Sequence, residues 1–373
     1  MRIFLYLLSL GIAATAFAQS PPAPAVAARA FLLLDYHSQQ TLAGSNAGER
    51  VEPASLTKLM TAYLVFSALK HKQIQATQSV PVSERAWKAD GSRMFIEPKR
   101  PVTVEELMRG MIVQSGNDAC IALAELISGS ESAFAQAMNT HAQRLGMKNS
   151  HFKNSTGLPD PQHYSTAQDL GLLAIAIIRD FPEYHPLYAM KEYRYNNITQ
   201  ANRNRLLWSD PTVDGMKTGY TENAGYCLVT SAKRGERRLI SVVLGAASEA
   251  ARATESQKLL NYGFQYYDSV KLYEKNQPVA SLPIWKGAAN NVRAGFLNDL
   301  YVSLPKGQSD KMTANLESRQ PLLAPVGAGQ KIGVIKLTLD GKPYAELPVV
   351  ALQDVALAGV FGRGWDSLRL LFK

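Results

Sequence analysis

The sequence predicts an α+β protein: one domain of helices around antiparallel strands over residues 30–267, then a small all-β domain over 270–352. Three observations predict it. Several long apolar runs between residues 56 and 179 have helical spacing. Three short apolar segments, Gly215 to Tyr220, Tyr226 to Ala232 and Leu239 to Leu244, are separated by turn residues, as in an antiparallel sheet. From Val270 the character changes to short alternating segments such as Leu300 to Leu304 and Lys331 to Leu339, with Asp340-Gly341 as a hairpin turn between two apolar strands.

Taken in order, the first eighteen residues are a processing segment. Arg2 gives a short positive region, Ile3 to Ala14 is apolar but short for a membrane span, and Ala16-Phe17-Ala18 is a small-x-small cleavage site. The mature protein is therefore expected to be exported. After a Pro/Ala-rich lead, Ala30 to Leu34 reads as a strand. Leu56 to Leu69 is apolar on nearly every face, as in a buried helix that starts near Pro53. Pro81 to Arg100 reads as a loop folding over the site, with Trp87, Met94 and Phe95 as anchors. Further helices are predicted over Val104 to Val113, Asp118 to Ile127, Ser132 to Leu145, Thr166 to Arg179 and Thr254 to Tyr267.

The formal charge of +9 suits an anionic envelope surface, and no basic run or aromatic-basic module points to nucleic acid. The six histidines lack metal-ligand spacing, and no metal or cofactor is implied. Two cysteines, Cys120 and Cys227, lie in apolar segments and read as buried free thiols, with a single bridge as the alternative in an oxidising compartment.

Three stretches carry chemistry. In Ser55-Leu-Thr-Lys58 the hydroxyl and amine share one helix face, and a serine beside a neutral lysine is a nucleophile beside its base. The motif alone is weak, since Ser67/Lys70, Ser150/Lys153 and Ser303/Lys306 repeat it. Ser115-Gly116-Asn117 lies between two predicted helices. A hydroxyl there can relay a proton and the Asn117 amide can hold a substrate carbonyl; Asn117 or Asp118 can also cap the next helix. Lys217-Thr218-Gly219 lies on a predicted strand. Glycine there admits a close backbone, so an extended peptide can add to that edge. Lys217 and Thr218 can meet a carboxylate, and Lys217 is the expected second cation that lowers the pKa of Lys58.

In this order the three stretches resemble those of exported serine-type D-alanyl-D-alanine carboxypeptidases, the low-molecular-mass penicillin-binding proteins. Pro53 to Met60, Gln114 to Cys120, Asn202-Arg203-Asn204, Val213 to Gly219 and Ala224-Gly-Tyr226 all look like that family. The resemblance implies a β-lactamase/transpeptidase-like catalytic domain that removes the terminal D-alanine from peptidoglycan stem peptides and is acylated by β-lactams. By it, Ser55 is the nucleophile, Lys58 the base and Ser115 the proton relay. Backbone N–H groups of Ser55 and Tyr220 form the oxyanion hole, Lys217 and Thr218 hold the terminal carboxylate, and Arg203 and Arg252 lie near that carboxylate. Tyr220 and Thr156 depart from the family, where histidine is frequent at both positions. No Glu-x-x-Leu-Asn stretch supplies the carboxylate base of a β-lactamase. An endopeptidase of the same fold and a catalytically retired wall-binding scaffold are the alternatives.

The tail from Gly359 to Lys373 has helical spacing, with Phe361, Trp365, Leu368, Leu371 and Phe372 on one stripe and Arg363, Arg369 and Lys373 largely off it. It reads as an interfacial helix on an anionic membrane surface, placing the protein at the periplasmic face of the inner membrane.

Overall fold

The computed structural model describes residues 22–371. The processing segment of residues 1–18 and the last two residues of the tail, Phe372 and Lys373, lie outside the described residues.

The first domain is built on a five-stranded antiparallel sheet. Its strands are β1 (Ala30–Asp35), β2 (Thr41–Ser45), β3 (Val213–Thr221), β4 (Gly225–Arg234) and β5 (Arg237–Ala246), in the order β2-β1-β5-β4-β3. Because strand side chains alternate, β1 feeds two cores. Leu32 and Leu34 pack with helices on one face, while Phe31 and Leu33 pack under a single helix on the other. That is why Ala30-Phe-Leu-Leu-Leu is apolar without alternation.

On the first face lie α1 (Lys58–Lys70), α2 (Val104–Val113), α3 (Asn117–Ser128), α4 (Glu131–Arg144) and α5 (Ala167–Asp180). Helix α1 is the centre of this layer, buried on all but a narrow strip of Tyr63, Ser67 and Lys70. On the second face lies α6 (Glu249–Tyr266), with Gly263 seated against Leu239 and Leu33. The expected helix began at Thr254. It starts five residues earlier, at Glu249, capped by Ser248 accepting from Ala251 N, so Arg252 is a helix residue. The expected loop over Pro81 to Arg100 contains a helical turn, Glu84–Trp87, capped by Ser83. A short hairpin, Glu192–Tyr195 with Ile198–Ala201, carries no strong period in sequence and was not expected.

The C-terminal part is all-β: a six-stranded sheet, and a two-stranded pair of Tyr267–Tyr273 with Leu300–Pro305. Asp340 and Gly341, both with left-handed φ (52° and 75°), form the expected hairpin turn between Lys331–Leu339 and Lys342–Ala351. This part attaches at the Asp35 end of the main sheet. Asp35 Oδ1 accepts from Ser38 N and from Ser269 Oγ, Ser38 Oγ lies 2.7 Å from Ser303 Oγ, and His37 stacks on Tyr301. Residues 218–220 of β3 lie at the other end, level with Ala30 through the register of β4 and β5.

The tail forms α7 (Val360–Leu370). Its inner side is tied to the β domain: Asp366 Oδ2 accepts from Lys286 N at 2.6 Å, and the Arg369 guanidinium lies over the Trp285 ring. The stripe is exposed, with Phe361 96 % and Trp365 63 % accessible. Among the described residues, no helix is long and apolar enough to cross a membrane.

Cys120 and Cys227 are buried and free, and burial pushes their thiols up to about 12 and about 11. Native protein at pH 8 is expected to leave a thiol reagent unreacted, and denatured protein to consume two equivalents.

Candidate active site

The first segment of the site is a turn. Pro53 has fixed helical φ, Ala54 takes a left-handed φ of 48°, and residues Ala54–Thr57 form a 3₁₀ turn that runs into α1. Ser55 was expected within the α-helix; it stands in the tighter turn before it. The result favours the pair, because three residues per turn eclipse positions i and i+3. Lys58 Nζ lies 3.0 Å from Ser55 Oγ. The serines of the other three Ser-x-x-Lys stretches bond elsewhere: Ser67 to His71, Ser150 to Asp169, Ser303 to Ser38.

Lys58 is buried, 1 % exposed. Its amine also contacts Asn117 Oδ1 and the Thr156 carbonyl, each at 2.7 Å. Both of those oxygens can only accept. A neutral amine has two N–H bonds and one lone pair, so the two acceptors consume the N–H bonds and the lone pair faces the Ser55 hydroxyl. Burial lowers the Lys58 pKa to about 8; Arg203 also lowers it, against Cys120, Asp118 and Glu131. Burial, with Lys217 as a second cation, is the expected cause. Desolvation is the main cause, Arg203 adds to it, and the two buried lysines repel each other. Lys217 is likewise held well below its usual range, by burial and then by Lys58.

The second segment joins α2 to α3. Ser115 has a left-handed φ of 60°, a strain of about 1–3 kcal/mol for a non-glycine residue and of the kind kept at functional positions. Its Oγ accepts from Lys217 Nζ at 3.0 Å. Gly116, not Asn117 or Asp118, is the N-cap of α3. Asn117 Oδ1 accepts from Lys58 and Nδ2 donates one N–H to the Asp90 carbonyl, so Asn117 orients the amine and keeps a second N–H as a candidate donor to a substrate carbonyl. The Asp118 carboxylate accepts from the backbone N–H groups of Met94, Phe95 and Ile96 and so holds the expected covering loop in place.

The third segment is β3, the edge of the sheet. Thr218 and Lys217 are buried. A Cβ on Gly219 would meet the Pro53 carbonyl at 3.0 Å, so glycine is what lets β3 lie against the Ser55 turn. Tyr220 is half exposed beside Tyr226. Arg203 donates to Ser92 Oγ of the covering loop at 2.8 Å. Arg252 is buried behind the strand, donating to the carbonyls of Gly219 and Arg203. Ser55, Lys58, Ser115, Asn117, Arg203, Lys217, Thr218, Gly219, Tyr220 and Arg252 thus come together.

A fourth segment, residues 154–158, marked in sequence only by Thr156 in place of a frequent histidine, completes the surroundings of Lys58. Asn154 Oδ1 gathers the N–H groups of Thr156 and Gly157, and Thr156 turns its carbonyl to Lys58. Behind it, His163 Nε2 lies 2.8 Å from Thr57 Oγ1; burial holds His163 down to about 4, so it is neutral. The working atom of this segment is a main-chain oxygen, which no residue type announces. Asn154-Ser-Thr-Gly157 is a turn signal only.

Comparison with known proteins agrees with this geometry. A family model described as D-alanyl-D-alanine carboxypeptidase matches residues 15–248. The chain belongs to this family. A second model, the penicillin-binding protein 5 C-terminal domain, matches residues 267–357. Among curated members, the D-alanyl-D-alanine carboxypeptidase DacC of Escherichia coli is 43 % identical over 96 % of this chain and 92 % of its own length. DacA of Haemophilus influenzae is 42 % identical over 94 % and 91 %. The solved penicillin-binding protein 5 from Haemophilus influenzae superposes with a TM-score of 0.86 at 41 % identity, covering 90 % of this chain and 99 % of that one. Penicillin-binding protein D2 from Listeria monocytogenes, solved in an ampicillin-bound form, superposes with a TM-score of 0.60 at 31 % identity over 65 % of this chain and all of that one.

Gly157 is the tightest point of the site, with φ 84° and the place of a Cβ only 1.8 Å from the Ala54 carbonyl oxygen. Gly157→Ala is expected to cost roughly 3 kcal/mol or more and to push the Ser55 turn out of line. Denaturant unfolding and penicillin acylation measured on the same sample check it.

Proposed function

We propose that this member of the family removes the terminal D-alanine from peptidoglycan stem peptides through an acyl-enzyme on Ser55. The observation that carries the reading is the Lys58 amine, 3.0 Å from Ser55 Oγ with acceptor-only partners on its other two sides. Deprotonated, it can take the Ser55 proton as Oγ attacks the carbonyl of the penultimate D-alanine. Negative charge then develops on that carbonyl oxygen. The N–H groups of Ser55 and Tyr220, brought close by Gly219, are the proposed donors to it; one such donor is typically worth about 3–4 kcal/mol.

Ser115 is the proposed relay. Its hydroxyl gives a proton to the departing amine as the C–N bond breaks and takes one back from the Lys58 ammonium, so the proton removed from Ser55 leaves on the nitrogen of D-alanine and Lys58 is neutral again. Water then attacks the Ser55 ester, the acid is released and the Ser55 proton is restored. Lys217 and Thr218 receive the substrate's terminal carboxylate. That anion favours the charged form of Lys217, and a charged Lys217 holds Lys58 neutral. Arg252 supports the strand from behind and Arg203 adds positive potential at the mouth.

The address follows from the two ends of the chain. The segment of residues 1–18 reads as an export signal, and α7 presents an exposed aromatic stripe with Arg363 beside it, the chemistry of an interfacial helix on anionic lipid. The β domain then stands between that surface and the Ser55 site.

Ser55→Ala is expected to abolish penicillin labelling and to lower D-alanine release from a pentapeptide by at least about 10⁴-fold while the protein stays folded. An adduct mapped to Ser67, Ser150 or Ser303 would contradict the assignment. Lys58→Arg is expected to be equally inactive, since arginine keeps its proton. Removal of residues 359–373 should leave D-alanine release in solution intact and abolish sedimentation with anionic vesicles.

A further inference from the structure

Glu131 opens the first turn of α4, just after the capping serine Ser130. An acid there ordinarily faces solvent and answers the helix dipole. This one is turned inward and only 6 % exposed. Its Oε1 accepts from Ser155 N at 3.0 Å and Ser155 Oγ at 2.7 Å, and its Oε2 accepts from Arg85 of the covering loop. Ser155 is fully buried and precedes the residue whose carbonyl holds Lys58. The Ser155 carbonyl in turn accepts from Thr61 Oγ1 at 2.6 Å. Two successive carbonyls of this loop thus point into α1 at residues 58 and 61, one turn apart, and Asn154 pins the Gly157 N–H from inside the loop.

We infer that Glu131 is a positioning residue for the proposed base: its buried carboxylate fixes Ser155 so that the Thr156 carbonyl occupies one N–H of Lys58 and leaves the amine aimed at Ser55. The inference rests on the reading of Lys58 as the base. Glu131 touches no reacting atom; it acts through Ser155 and Thr156. Asn154 alone does not suffice, because it binds within its own loop and cannot set that loop's position against α1. Glu131, on a separate helix, can. It also joins this loop to Arg85 of the covering loop, whose Asp90 carbonyl accepts from Asn117.

The test is the rate of acylation by a fluorescent penicillin, measured across pH on the full chain and separated into binding and acylation steps. Glu131→Ala is expected to slow acylation by about 30-fold with binding changed less than about threefold, since misaiming a catalytic group costs rate rather than affinity. Glu131→Gln keeps an oxygen for Ser155 and should stay within about threefold of the parent. Its rate should also hold to lower pH, because one negative charge near Lys58 is gone; the other groups facing that amine are the Asp118 carboxylate and the neutral Cys120 thiol on α3, with Arg203 and Lys217 as the positive groups. Arg85→Ala, which leaves the Ser155 bonds in place, should be unchanged. If Glu131→Ala fails to fold, Glu131→Asp, too short to reach Ser155, is expected to slow acylation at least tenfold. A folded Glu131→Ala or Glu131→Asp protein with the parental rate overturns the inference. So does a Glu131→Gln or Arg85→Ala protein as slow as Glu131→Ala, which would make the ion pair the cause. Lys58→Arg, run alongside, separates the two claims: acylation retained there defeats the base itself, whatever the Glu131 variants do.

Discussion

The site depends on one buried amine. Lys58 is 1 % exposed, and the solvation it gives up is the chief reason its pKa falls from 10.5 to about 8. That difference is worth about 3 kcal/mol in favour of the neutral form. Burial alone would leave the lone pair without direction. The Asn117 and Thr156 oxygens supply it, because each can only accept and together they use both N–H bonds. The remaining direction is Ser55.

Each partner of Lys58 is placed by a separate constraint of the chain. Ser55 is set by the left-handed Ala54 and the 3₁₀ turn, Asn117 by the Gly116 cap of α3, and Thr156 by Asn154 below it and Gly157 above the Ala54 carbonyl. The sheet contributes an edge. β3 lies at the border of the order β2-β1-β5-β4-β3, with Gly219 against the Ser55 turn, so one side of the strand pairs with β4 and the other borders the site. An extended peptide laid along that edge would pass Lys217, Thr218 and Tyr220 in turn. The β domain joins the opposite end of the sheet, through Asp35 and Ser38, and leaves the site end unobstructed.

Much of this was legible in sequence because the residues concerned act through their side chains or through strong periodicity. Ser55/Lys58, Ser115 and Lys217-Thr218-Gly219 carry distinctive chemistry at fixed offsets, and α1 and β1 carry apolar runs that only a buried element tolerates. The start of α6 was placed late because its first turn, Glu249 to Ala253, has little apolar period, although Ser248 is a good cap. The hairpin of residues 192–201 is polar and half exposed, so packing rather than pattern makes it. The Thr156 carbonyl was invisible because every residue has one. The balance on Lys58 needed three dimensions: Lys217 stood out as a cation in sequence, but burial outweighs the charges and Arg203 also acts on Lys58.

The most direct measurement is the titration of Lys58 itself, followed by NMR on protein labelled at the lysine ε-carbon and assigned by comparison with Lys58→Arg. A midpoint about two units below the ordinary lysine value, near 8, with penicillin acylation rising over the same pH range, is the expected result. A Lys58 that stays charged to about pH 10, with acylation already complete at neutral pH, would contradict the account of a buried neutral base.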